Sequence, residues 1–100
     1  MRYDVTAIIY DKHGRALSIG KNSYTKTHPI MLRHGIKVGR PQKIYLHAEV
    51  EAILKCRNLD KAYRIAVFRY GKSGQPLSAK PCPVCMSIIA NTNIQIIEHT

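Results

Sequence analysis

The sequence has no tryptophan and a single phenylalanine. A surface that stacks nucleic-acid bases on large aromatic platforms is therefore left to tyrosine alone. Long apolar runs are missing too. None approaches the ~18 to 20 residues that a membrane-spanning helix needs, so a helical membrane protein is excluded. The start, "MRYDVTAII", carries one early arginine and an aspartate inside its apolar stretch, unlike the uninterrupted apolar region of a secretory signal. The expectation is a cytoplasmic chain with no membrane partner. Cysteine is scarce, at three residues, and the count is odd. Cys82 and Cys85 stand too close for an ordinary stapling disulfide, which excludes a disulfide framework. In a cytosolic chain such a pair more often binds metal or does redox chemistry. Acidic residues are also few, six against 16 Lys plus Arg, giving a net charge of +10. That balance points to polyanionic or phosphorylated partners, with a merely solvated lysine-rich surface as the plain alternative.

What is present fits one domain over residues 1–100, able to bury a real but small core. Tyr3 to Tyr10, "YDVTAIIY", is rich in β-formers and reads as a strand. Asp11-Lys12-His13-Gly14 has turn chemistry, with Gly14 free to take positive φ. Arg15 to Lys21 returns as the second strand of a hairpin. Asn22 to Lys43 is a long connection with a helical turn near "IMLRHG", and loops this long are usually functional or disordered. It carries Lys26, Arg33, Lys37, Arg40, Lys43 and His34, the best basic patch in the chain. Tyr45 to Asn58 takes a helical period. Ala62 to Tyr70 reads as a central strand, "GKSGQP" as a turn, Cys82 to Ala90 as a helix closed by Asn91, and Asn93 to Glu98 as a last strand. The order β-β-α-β-α-β predicts an α/β fold of two or three layers, a mixed sheet with its last two strands parallel.

Glu49, Ala52, Ile53 and Cys56 fall at i, i+3, i+4 and i+7, on one helical face. Three of the four suit a core. Glu49 does not, because a buried carboxylate is expensive without a partner, and this marks it for chemistry. Cys56 reads as core, and Glu51 as solvated or bracing a nearby cation. His13 and His99 read as exposed. His47 begins this helix, and Cys82 and Cys85 lie in the first turn of the other, where i and i+3 side chains project side by side and the helix terminus favours thiolate. Imidazole and thiolate are the donors zinc takes in tetrahedral geometry, and three protein donors leave a fourth position open, as in catalytic sites. Glu49 points to another side of the helix and can reach that position without binding the metal. Taken singly, the cysteine pair also fits a redox pair or two buried small side chains, and His-x-Glu alone has little specificity.

Together, "HAEVEAI" at 47–53 and "PCPVC" at 81–85 match the zinc deaminase signature H-x-E…P-C-x-x-C. The sequence thus resembles the cytidine/deoxycytidylate deaminase superfamily, with the compactness of phage-encoded or stand-alone members. The resemblance implies that His47, Cys82 and Cys85 hold Zn2+ and that Glu49 shuttles protons. It implies substrate contacts from the Ala48 backbone, from Asn22 at the sugar, and from Ser78, the small hydroxyl residue near the proline-cysteine pair in the deoxycytidylate branch. His28 and Tyr24 are further substrate-binding candidates. The activity it implies is hydrolysis of cytosine to uracil in a pyrimidine nucleotide or nucleoside, with a deoxycytidylate-like substrate favoured by the basic loop. The alternatives are a cytosine or adenine deaminase acting on single-stranded DNA or RNA, and a non-catalytic zinc-stabilised nucleic-acid-binding module. A chain this short is also expected to cover remaining apolar surface by forming a homo-oligomer.

Overall fold

The computed structural model describes residues 4–23, 29–31, 33 and 47–100. Tyr24 and His28 lie outside that set, as do Lys26, His34, Lys37, Arg40 and Lys43 of the basic loop. Strand β1 (Val5–Tyr10) turns through residues 11–15 into β2 (Ala16–Lys21). The turn is built around Asp11. Its carboxylate accepts the backbone N–H groups of His13 and Arg15, both at 2.9 Å, and pairs with the Arg15 guanidinium at 3.0 Å. Gly14 takes the expected positive φ, +81°. Pro29, Ile30, Met31 and Arg33 are helical, and Met31 is fully buried. Helix α1 (Ala48–Lys55), a 3-10 turn (Leu59–Lys61), β3 (Arg64–Arg69), helix α2 (Pro83–Ala90) and β4 (Ile96–His99) follow.

The sheet order is β2-β1-β3-β4. β1 runs antiparallel to both β2 and β3, whereas β3 and β4, joined through α2, are parallel. This is the mixed sheet and element order read from the sequence. Register sorts the side chains. Ala7 pairs with Val67 and with Gly20, Ile9 with Ile65 and with Ser18, and Ile65 with Ile97. Ala7, Ile9, Ile65 and Val67 are buried in one cluster with Val50, Ala52 and Ile53 of α1 and Val84, Ile88 and Ile89 of α2. Alternate residues Thr6, Ile8, Tyr10 and Phe68 point the other way and are half-buried. Among the described residues, then, two helices cover one face, and their amino ends meet at the carboxyl ends of the parallel strands.

Several elements are shorter than the sequence pattern suggests. Within the Tyr45–Asn58 span, α1 stops at Lys55 because Cys56 turns extended (φ −76°, ψ 109°) to keep its side chain in the core. Asn58 and Asp60, which compete with helix through local hydrogen bonds, then favour the tight turn. Tyr70 leaves β3 for an isolated bridge with Pro76. β4 starts three residues later than Asn93, because the Thr92 hydroxyl caps α2 through the Ile89 carbonyl (2.6 Å) and accepts the Ile94 N–H (3.2 Å). It runs on to His99, which pairs with Val67.

Candidate metal centre

His47 is the N-cap of α1 and Cys82 the N-cap of α2, both with extended backbone; Cys85 lies one turn into α2. Pro83 at the first helical position costs no hydrogen bond and presets the helical φ. The donor atoms of His47, Cys82 and Cys85 all lie within 4.8 Å of one another. His47 Nδ1 is 3.1 Å from Cys85 Sγ and 3.5 Å from Cys82 Sγ. A tetrahedral zinc at ordinary bond lengths sets nitrogen and sulfur about 3.6 Å apart. The two nitrogen–sulfur separations are therefore within about half an ångström of that spacing, and the chemistry of the three donors suits zinc. Cys56, the third cysteine, is buried elsewhere in the core.

The electrostatics follow from this crowding. Cys82 is pulled down to about 3, first by a hydrogen bond from Cys85 and then by His47, against the opposing effect of burial. Cys85 is pushed up by that same bond, by burial and by Glu49. Thiolate ligation of a metal ion here would release the thiol proton. Glu49 is only 5% exposed. Burial raises its pKa, and a hydrogen bond with Cys85 opposes the rise. The carboxylate thus stands against the donor group without belonging to it.

The other sequence candidates are placed as follows. Ala48 is fully buried, and its carbonyl lies against Gly20 of β2. Asn22 turns its side-chain oxygen to the Val5 N–H at 2.9 Å, and its own N–H donates to the Val5 carbonyl at 3.2 Å, closing the end of the hairpin. Ser78 is exposed, and its carbonyl accepts from Arg69 at 3.4 Å. Glu51 does brace a cation: it pairs with Lys55 at 3.1 Å and also accepts the Lys21 N–H at 3.1 Å, tying α1 to β2. Sequence reasoning missed two supports, Gly20 and Ser18. The Ser18 hydroxyl donates to the Ala52 carbonyl at 2.7 Å, a bond available only because Gly20 lets the helix backbone approach the strand.

A mixed α/β sheet thus brings together, at two helix amino ends, a His/Cys/Cys donor set suited to zinc, with a buried glutamate beside it. The family comparison makes this specific. The model of the cytidine and deoxycytidylate deaminase zinc-binding region matches residues 1–98, and the chain belongs to that family. Among solved structures, it is similar to a glutamate-to-glutamine mutant of the cytidine deaminase of Mycobacterium tuberculosis. The TM-score is 0.59 at 19% identity, covering 98% of this chain and 68% of the other. At that identity the likeness shows the fold. No curated protein matches the sequence. Among the described residues, no helix is long and apolar enough to cross a membrane.

Proposed function

We propose that this chain catalyses the hydrolysis of cytosine to uracil and ammonia in a free nucleotide or nucleoside, with a deoxycytidylate-like monophosphate favoured. The observation that supports this most is Glu49, buried beside the His47, Cys82 and Cys85 donors but outside their group. A purely structural zinc site has no use for that carboxylate, and its desolvation is costly. A zinc ion held by the three donors supplies Lewis-acid activation of the water that the hydrolysis consumes. Glu49 takes one proton from that water to ring N3 as the oxygen bonds to C4. It carries a second, from the new C4 hydroxyl, to the amino group, which leaves as ammonia. His47, Cys82 and Cys85 bind and orient. The basic loop around Arg33 serves the 5′-phosphate. Exposed Ile19, Leu54 and Met86 support assembly into a homo-oligomer, which light scattering at micromolar concentration checks.

A second reading, deamination within single-stranded DNA or RNA, is favoured by the net charge of +10, since polynucleotide binding is dominated by phosphate neutralisation. The deciding experiment is ammonia release from cytidine, deoxycytidine, their monophosphates and a cytosine-containing oligonucleotide, with Glu49→Ala as control. The monophosphates are expected to be the best substrates, and the variant is expected to keep its zinc and lose turnover. Zinc-loaded protein inert on the whole panel would leave the non-catalytic binding module.

A further inference from the structure

Cys82 is tethered by a short, stiff piece of chain. Only Lys80 and Pro81 separate it from Ala79, and Pro83 follows it. Proline fixes its own φ, and each residue before a proline is confined to the extended region. Lys80, Pro81 and Cys82 are thus all restricted, and Cys82 shows it, with φ −71° and ψ 167°. Wherever Ala79 is held, Cys82 follows.

Ala79 is held by Thr100. Its N–H donates to the Thr100 carbonyl at 2.9 Å, and Thr100 is itself docked on β3 through its own N–H to the Val67 carbonyl at 3.0 Å. The Thr100 hydroxyl accepts the Arg69 N–H at 3.0 Å and donates to the Leu77 carbonyl at 2.6 Å. The Leu77 N–H in turn reaches the Arg69 carbonyl at 2.8 Å, and the Arg69 guanidinium the Ser78 carbonyl at 3.4 Å. One side chain therefore joins the end of β3 to the segment that delivers the metal cysteines, and the segment's buried members, Ala79 and Pro81, alternate with exposed Ser78 and Lys80.

We propose that Thr100 is a positioning residue for the zinc site: its hydroxyl ties Leu77, and its main chain ties Ala79, to the end of β3, and together they fix the place of Cys82 relative to His47. The proposal rests on the zinc-site reading above. Groups hydrogen-bonded directly to a metal ligand typically cost about 10- to 100-fold in metal affinity when removed; Thr100 acts further along the chain, so the low end, about 10-fold, is expected here. The experiment compares the full chain with Thr100→Val, which keeps the shape and loses the hydroxyl, and Thr100→Ser, which restores it. Zinc affinity is read by competition with a chromophoric chelator, and zinc-free stability by urea denaturation. Thr100→Val is expected to bind zinc about tenfold more weakly, with Thr100→Ser close to wild type. A loss confined to zinc-free stability, with unchanged affinity in the folded protein, would overturn the proposal. Because coupling is reciprocal, zinc added to the wild-type chain is expected to slow hydrogen exchange at the Leu77 and Ala79 amides. Exchange there that ignores zinc overturns it even if Thr100→Val does not fold. If the wild-type chain binds no zinc at all, it is the site reading that fails, and that outcome is distinct from equal binding by wild type and variant.

Discussion

Replacing Gly20 by alanine tests how the helix that carries His47 and Glu49 is seated. A Cβ at this position would fall inside 3 Å of the Ala52 nitrogen and the Ala48 carbonyl oxygen, and 2.9 Å from the Ala52 Cα. All three are backbone atoms, so no rotamer change relieves the overlap; strand and helix must separate. Overpacking of this kind costs about 1 to 3 kcal/mol. The separation also stretches the 2.7 Å bond from Ser18 to the Ala52 carbonyl, worth about 1 kcal/mol. A total of about 2 to 4 kcal/mol is a large share of the roughly 5 to 15 kcal/mol by which a domain is stable. The displaced helix begins at His47, so zinc affinity is expected to fall along with stability. Urea denaturation of the zinc-free protein and zinc competition with a chelator read the two effects. Two controls separate the causes. Ser18→Ala removes the hydrogen bond without the push and is expected to cost about 1 kcal/mol. Gly14→Ala places a Cβ in open space at φ +81°, so it strains the turn and leaves zinc affinity alone. A Gly20→Ala protein as stable as wild type and equal in zinc affinity would refute this account of the seating.

Removing zinc with a chelator is expected to lower Tm by on the order of 10 °C when zinc stood at about 100 times its Kd, because the ion binds the folded chain and not the unfolded one; an unmoved Tm would count against the site. Asp11→Asn addresses pH. Hydrogen bonds from the Arg15 and His13 backbone and the Arg15 side chain hold the Asp11 carboxyl below its ordinary value of 3.8. Its contribution is therefore fully present above that value and is lost as pH falls through the lower folded one. The zinc-free variant should be less stable than wild type at pH 7, with the gap shrinking in acid, and a gap independent of pH would contradict the turn's electrostatics. Neutralising Arg33, Lys37 and Arg40 together is expected to raise KM for a monophosphate while leaving kcat and the nucleoside reaction nearly unchanged, the pattern of lost uniform binding. If the substrate is a polynucleotide, the same change flattens the salt dependence of binding.

The sequence carried the donor set because each member breaks a local rule. Glu49 sits on an otherwise apolar stripe; Cys82 and Cys85 occupy a helix start flanked by prolines; and His47 precedes the same helix as Glu49. Such conflicts are visible one residue at a time. The strands were legible for a related reason, since β1 and β3 are short runs of β-branched and apolar residues between turn signals. Element ends were not, because they depend on partners distant in sequence. Cys56 keeps helical spacing yet leaves the helix to remain in the core, and His99 looks polar yet pairs with Val67.

The supports of the site were silent in the sequence for a deeper reason. Gly20 reads as an ordinary member of a strand, and Thr100 as a polar residue beyond the last one. What each does is defined by a neighbour 30 or so positions away: Ala48 and Ala52 for Gly20, Arg69 for Thr100. The two supports act on different ligands. Gly20 lets α1 approach β2 and so sets His47 and Glu49; Thr100 fixes the segment leading to Cys82 and Cys85. The two halves share the hydrophobic core, and they also meet at the metal site, His47 from one and the cysteine pair from the other, at 3.1 and 3.5 Å. Damage to either support should therefore appear as weaker metal binding with the other half intact. Combining Gly20→Ala with Thr100→Val should cost more zinc affinity than a simple sum of independent sites allows, since coupling is expected between residues that act on one shared centre. Additive losses would mean that the two halves are positioned independently and that the ion, not the fold, brings them together.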